Sequence, residues 1–253
     1  MGATESIDAY AERLGMRRFT ARSLVLSVLL GSHPPRLSVT SLIDFCSLFD
    51  VAPGTVRTAL SRMVAAGELE PDDDQGGRYR VAGELLERQR QQDVGRTTPG
   101  EEWDGSWWTA IALADSRTVA ERRRFRSVML GAKMGELRPA VWMRPANIAG
   151  PRKDRELMVT RGAPADGTAA ALVERLWDLD ALDERARLLL GAIDADGDLP
   201  RRFIGLAACL QYLRTEPLLP RSLAPARAAE ELRRRYGPAE ARFQDDLNTF
   251  LRR

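Results

Sequence analysis

Apolar residues recur at helical spacing in three stretches near the start of the chain. Ala21, Leu24, Val25, Val28 and Leu29 form one stripe that stops at Gly31. Leu42, Phe45, Cys46 and Phe49 form a second, behind the candidate caps Ser38 and Thr40. Val56, Ala59, Leu60, Met63 and Val64 fall at i, i+3, i+4, i+7 and i+8 and form the third, with Pro53 suited to its start and Gly67 to its stop. The period then changes to two in Glu68-Leu69-Glu70 and in Arg78-Tyr79-Arg80-Val81, on either side of Asp72-Asp73-Asp74-Gln75-Gly76-Gly77, which predicts a hairpin. The connector Asp50 to Gly54 is short enough to set the second and third helices at an angle. Three helices followed by a hairpin predict a winged helix-turn-helix over residues 19–93.

The rest of the chain divides by composition. Met1 to Arg18 reads as a short amphipathic helix or a loose arm, with no role legible in it. Glu84 to Asp93 is a very polar helical segment, and Gly95-Arg96-Thr97-Thr98-Pro99-Gly100 has linker composition. A second domain over residues 101–175 then opens with Trp103-Asp104-Gly105-Ser106-Trp107-Trp108 and a strand through Thr109-Ala110-Ile111-Ala112-Leu113. A basic helix from about Thr118 to Leu130 follows, then strands at Ala140 to Met143 and Glu156 to Thr160, an order that suggests a small ferredoxin-like unit continued by a helix near Thr168 to Trp177. Residues 176–253 read as a helical domain: Leu182, Ala186, Leu189, Leu190 and Ile193 make one stripe and Phe203 to Leu213 another. Pro217, Pro220 and Pro225 interrupt the chain before helices at Ala226 to Tyr236 and Glu240 to Leu251. The expected class is α+β, with an N-terminal winged helix-turn-helix, a central ferredoxin-like α/β domain and a C-terminal helical domain.

Charge sharpens the reading of the third helix. The net charge of the 253 residues is only +2, so any basic surface must be local. The face opposite the apolar stripe carries Thr55, Arg57, Thr58, Ser61 and Arg62, a run of donors with no carboxylate among them. Arg presents a fork to phosphate or to guanine, and Thr and Ser reach phosphates or base edges at short range. The plainer alternative is a solvated face on an ordinary core helix. Within the hairpin, the acidic Asp72, Asp73 and Asp74 would repel phosphate and leave Arg78 and Arg80 as backbone contacts. Arg57, near the start of its helix, suits base readout, and Arg62, near its end, suits the phosphate backbone. Five polar residues on one helix offer few base contacts, which favours a homodimer reading an inverted repeat of double-stranded DNA.

Other chemistry is thinly supplied. Cys46 and Cys209 both sit in apolar stretches and read as small core residues, not as a metal framework. His33 is the sole histidine and stands beside Pro34 and Pro35, which suits a turn better than a general base. Asp194, Asp196, Gly197 and Asp198 superficially resemble a calcium loop, but Gly comes two positions early and Gly205 stands where the bidentate Glu belongs. Asp104 as a metal ligand would have no visible carboxylate partner, and a turn before the strand is the better reading. Arg122, Arg123, Arg124 and Arg126 read as a solvated helix face ahead of a phosphate site, and Trp103, Trp107, Trp108 and Trp142 as core ahead of an effector pocket. No catalytic residue, metal or cofactor is therefore expected, and the protein is not expected to be an enzyme; a metal-dependent nuclease built on the central domain is the alternative. No stretch approaches 18 uninterrupted apolar residues and no signal peptide is visible, so no membrane partner and a cytoplasmic location are expected.

With these residues in hand, the chain resembles the PaaX family of bacterial transcriptional repressors, named for phenylacetic acid degradation. Thr55-Val56-Arg57-Thr58-Ala59-Leu60-Ser61-Arg62-Met63-Val64 followed by Gly67-Glu68-Leu69 is similar to the family's recognition-helix segment. Trp103 to Trp107, Leu137 to Pro145, Trp177-Asp178-Leu179-Asp180 and Glu216 to Pro225 resemble further family blocks. The resemblance implies a homodimeric repressor relieved by a small organic acid or its coenzyme A thioester, with a central domain of the type seen in small CRISPR-associated nucleases. Ala208, Cys209 and Leu210 depart from the more polar, His-containing pattern expected there, which implies a changed effector pocket.

Overall fold

In the computed structural model the described residues are 5–32, 34–72, 77–83, 102–113, 118–152, 154–165, 168–195, 197–224 and 228–251. His33, the acidic residues Asp73 and Asp74, the polar segment 84–93, the stretch 95–100 expected as a linker and Asp196 lie outside them. The architecture is α+β with two antiparallel sheets. Compactness divides the chain into a unit of residues 1–93, 191–208 and 235–253 and a unit of residues 94–190 and 209–234.

The first unit begins with α1 (Ile7–Arg13), capped by Ser6 and burying Tyr10 and Ala11, so part of the N-terminal arm is folded. Next come α2 (Ala21–Gly31), β1 (Arg36–Ser38), α3 (Val39–Ser47), α4 (Pro53–Ala65), β2 (Leu69–Asp72) and β3 (Arg78–Val81). Thr20 and Ser23 close a reciprocal capping box on α2, and Ser38 accepts the Ser41 amide at the start of α3. The expected stripes are buried: Leu24, Val25, Val28 and Leu29 from α2, Leu42, Phe45 and Cys46 from α3, Val56, Leu60 and Met63 from α4. Asp50 turns the chain between α3 and α4 with φ 56°, a left-handed conformation that Asp tolerates. The hairpin of β2 and β3 forms as expected, and β1 adds a third strand, in the order β1-β3-β2.

Residues 191–208 and 235–251 pack into this same unit. The ring of Phe203 lies 5.4 Å from each of Phe19, Phe45 and Phe49, and 6.1 Å from Phe243. Edge-on aromatic packing of this kind adds to simple area burial. Residues 176–253, expected as a third domain, are thus shared by compactness between the two units.

The second unit contains β4 (Trp107–Ala112), α5 (Val119–Gly131), β5 (Gly135–Arg138), β6 (Val141–Pro145), β7 (Leu157–Gly162) and α6 (Ala169–Leu176). Its sheet runs β5-β6-β4-β7. Strand alternation sends Ala110, Trp142 and Leu157 to one face with Met129 of α5, and Trp107 and Met143 to the other with Val173 of α6. Gly135 is required where a Cβ would come within 2.9 Å of Leu176 and Trp177. Beyond α6 the chain is helical: α7 (Leu179–Asp194), α8 (Leu199–Thr215) and α9 (Ala228–Leu251), the last carrying Pro238 internally. Among the described residues no helix is long and apolar enough to cross a membrane.

Candidate nucleic-acid interface

The outward face of α4 is set by its two ends. At the C-terminus, Glu68 N–H donates to Met63 carbonyl at 2.9 Å and Gly67 N–H to Val64 carbonyl at 3.0 Å, with Gly67 at φ 68°. This is the glycine-stopped end that satisfies the last carbonyls, and it fixes where Glu68 leaves the helix. At the N-terminus, Ala52 supplies no side-chain cap and the first turn holds no acidic residue. Other helices of the chain are capped by side chains: Thr118 on α5, Thr168 on α6, Asp178 on α7 and Asp198 on α8. The positive end of α4 is therefore left for solvent or an anion.

Between those ends, Thr55, Arg57, Thr58, Ser61 and Arg62 are all exposed, as the spacing predicts. Thr58 Oγ1 donates to Gly54 carbonyl at 2.9 Å and Ser61 Oγ to Arg57 carbonyl at 3.1 Å. Each hydroxyl proton is thus spent on its own helix, and what these side chains offer outward is oxygen lone pairs. Arg57 and Arg62 have no ion-pair partner among the described residues.

The small sheet separates Arg78 and Arg80, the two hairpin arginines that the sequence treats alike. Arg36, Arg80 and Glu70 stand in one cross-strand row and Ser38, Arg78 and Asp72 in the next, all on one face. Arg80 is paired with Glu70 at 2.8 Å and Arg36 with Asp72 at 3.6 Å, while Arg78 has no ion-pair partner among the described residues. Near the start of α2, Arg22 forks onto Glu68, Nε donating to Oε2 at 2.8 Å and a terminal nitrogen to Oε1. That hydrogen bond holds the Glu68 carboxyl below the ordinary carboxylate range and raises the guanidinium. An open groove of about 770 Å³ runs along this face, lined by Thr20, Arg22, Thr55, Thr58, Arg62 and Glu68 over a floor that includes Ala21 and Ala59.

The other candidates resolve as structural features. Asp104 Oδ1 accepts from the Ser106 amide at 2.9 Å and hydroxyl at 2.6 Å, and Oδ2 from Arg161 at 2.8 Å. Ser106 first, and Arg161 after it, hold this carboxyl low, so Asp104 makes a turn with both oxygens engaged. Asp194 pairs with Arg235 and Asp198 caps α8 while pairing with Arg201. No group of three His, Cys, Asp or Glu among the described residues is placed to hold a metal ion. Cys46 and Cys209 are buried, which pushes each thiol up to about 12. Trp107 and Trp142 are core residues. On α5, Arg123 and Arg124 are exposed, and Arg126 pairs with Glu136 while its guanidinium lies 5.5 Å from the centre of the Trp142 ring.

One polar cluster in the second unit is not anticipated by the sequence. Arg144 is fully buried and donates to Pro145 carbonyl at 2.9 Å, Ala132 carbonyl at 3.3 Å and Asn147 Oδ1 at 2.9 Å. Lys133 is 3% exposed, sits at φ 62° just past α5, and donates to Leu213 carbonyl near the end of α8. Asn147 holds the Leu218 carbonyl, and Glu216 accepts both the Leu218 amide and Arg233. Two buried cations thus rest on carbonyls at helix C-termini, the negative ends of those dipoles. Burial still pushes Lys133 down to about 8 and Arg144 to about 9, with Glu216 partly offsetting both. The cleft beside Glu216, of about 40 Å³ and lined by Leu182, Asp183 and Tyr212, holds a few water molecules at most.

Comparison with known proteins places this architecture. The profile of the family described as PaaX-like protein matches residues 20–85, which span α2 to β3. The solved structure titled "Uncharacterized protein Rv0674 from Mycobacterium tuberculosis" is 35% identical, covers 91% of this chain and 98% of its own, and superposes with a TM-score of 0.72. No curated protein matches the sequence. The chain belongs to the PaaX-like family.

Proposed function

We propose that this protein is a sequence-specific, DNA-binding transcriptional regulator that works as a cytoplasmic homodimer on an inverted repeat. The observation that carries the reading is α4: an exposed face of five polar residues without a carboxylate, on a helix whose N-terminus has no side-chain cap. On this reading α2, α3 and α4 form the helix-turn-helix, α4 enters the major groove, and β2 and β3 form the wing. Arg57 reads a base edge with Thr58 and Ser61 beside it, and Thr55, Arg62 and Arg78 hold phosphates. Arg80 contributes less, because Glu70 already occupies it.

The strand order β5-β6-β4-β7 supports a ferredoxin-like reading of the second unit, with the second helix, α6, displaced to follow β7. A small organic acid or its coenzyme A thioester bound outside the helix-turn-helix then favours a conformer that releases DNA and so relieves repression. No catalytic role is assigned, and no observation favours the nuclease. Footprinting on the DNA flanking the protein's own gene tests the reading. A protected inverted repeat, with half-sites about 10 or 20 base pairs apart, is the expected result. A chain that binds no duplex at any salt concentration overturns it.

A further inference from the structure

The groove beside α4 contains one carboxylate among its lining residues, Glu68, and that carboxylate is engaged by the one arginine that α2 contributes to the lining, Arg22. The pairing is a two-pronged fork, the same pair of parallel N–H···O bonds that a guanidinium offers to a phosphate. The partners differ in freedom. Glu68 leaves α4 at a position fixed by the Gly67 turn and its side chain is 23% exposed, whereas Arg22 is 56% exposed on the solvent side. Glu68 therefore cannot follow Arg22, but Arg22 can rotate away from Glu68. The box of Thr20 and Ser23 occupies the amides of those two residues, and on this side of the groove the charged group able to meet an anion is the Arg22 side chain. Across the groove stand Arg62, Thr55 and Thr58 of the reading helix.

We propose that this groove seats a phosphate of the DNA backbone, that Arg22 is the residue that binds it, and that Glu68 stands in for that phosphate while the protein is off DNA. The inference rests on α4 being the DNA-reading helix. Its consequence is a uniform brake on binding. On any duplex, Arg22 must first give up Glu68, which lowers affinity for every sequence by about two- to fivefold, the equilibrium equivalent of an exposed ion pair. The ratio of specific to non-specific affinity is left to the base contacts of Arg57, since a cost common to all sequences cancels in it.

The test uses the full-length chain, a duplex of random sequence and a salt series, with thermal melts of every variant. Glu68→Gln is expected to bind the random duplex about two- to fivefold more tightly at low salt, the gain shrinking as salt screens the pair. Arg22→Ala is expected to bind it more weakly and to lower the salt slope by about 0.9, the signature of one lost phosphate contact. If the parent binds duplex but Arg22→Ala matches its affinity and slope, Arg22 is not a phosphate contact and the proposal is overturned. If Glu68→Gln binds no tighter than the parent, Glu68 is not a stand-in and the proposal is likewise overturned. A parent that binds no duplex overturns the regulator reading itself, an outcome distinct from both.

Discussion

Arginine serves two opposite purposes in this molecule, and the contrast lies between the face of α4 and the interior of the second unit. Arg57 and Arg62 stand exposed, where solvent can satisfy an unpaired charge. Arg144 is fully buried and donates its hydrogen bonds to neutral oxygens, with the Glu216 carboxylate offsetting only part of the cost of burial. Such a charge is tolerable because Ala132 follows α5 directly, so one of its acceptors carries the partial negative charge of a helix end. Lys133 solves the same problem at Leu213, and its backbone takes a left-handed conformation to do so. A surface arginine is thus available to a partner, while a buried one is committed to its own fold.

The largest expected break of this contrast is Arg144→Ala. It leaves Asn147 Oδ1 and the Ala132 and Pro145 carbonyls without their donor and opens a cavity, for a loss of about 3 kcal/mol. Urea denaturation measures it directly; a change below about 0.5 kcal/mol means that the cluster is not structural.

Lys133 sharpens the contrast through pH. Its folded pKa, pushed down to about 8, lies below the ordinary 10.5, so between those values the unfolded chain holds the proton that the folded chain has released. Stability attributable to Lys133 therefore rises with pH across that window and is flat on either side. Above pH 9 Arg144, lowered to about 9, adds a further rise and the two buried thiols, raised to about 12, add a fall, so the Lys133 contribution is read between about 8 and 9, where Lys133→Met is expected to lower the slope of the denaturation midpoint against pH. A variant that keeps the parent's slope there contradicts the assignment.

Arg57→Ala probes the exposed face of α4. An exposed side chain replaced by the best helix former leaves the melting temperature near that of the parent. Operator binding is expected to weaken by about 1–3 kcal/mol, with relaxed preference at one base position. Binding to single-base operator variants is the measurement, and equal losses on all of them move Arg57 from base readout to the backbone.

These differences track what was legible in the sequence. The three stripes, the stop at Gly67 and the exposed face of α4 followed from local spacing, and local spacing is what fixes an amphipathic helix. β1 and β5 each hold a single large apolar side chain, Leu37 and Leu137, and so show no alternation of their own; Ser38 was legible as a cap and proved also to end a strand. Phe203 read as one residue of an apolar helix, and nothing near it in the chain announces that it meets Phe19, Phe45 and Phe49. The partners of Arg22 and Arg80 were hidden for the same reason, since both pairs depend on how distant segments meet. Arg144 did leave a trace: Trp142, Met143 and Pro145 around it are all buried, and an uninterrupted apolar run around a charge signals a strand with no solvent face.

The smallest expected effect belongs to Arg62, and it decides whether α4 acts as a reader or only as a charged surface. Arg62 lies in the last turn of α4, five residues after Arg57, and the two side chains leave the exposed side in different directions. From there Arg62 lines the groove with Arg22, whereas Arg57 does not. A contact to phosphate carries no sequence information, so Arg62→Ala should weaken operator and random duplex by the same factor and lower the salt slope by about 0.9 on both. The ratio of specific to non-specific affinity should stay constant in Arg62→Ala and fall in Arg57→Ala. Opposite behaviour of the two ratios would exchange their roles. If neither variant moves affinity on any sequence while both melt as the parent does, the polar face of α4 is an ordinary solvated surface and DNA binding must be sought elsewhere on the chain.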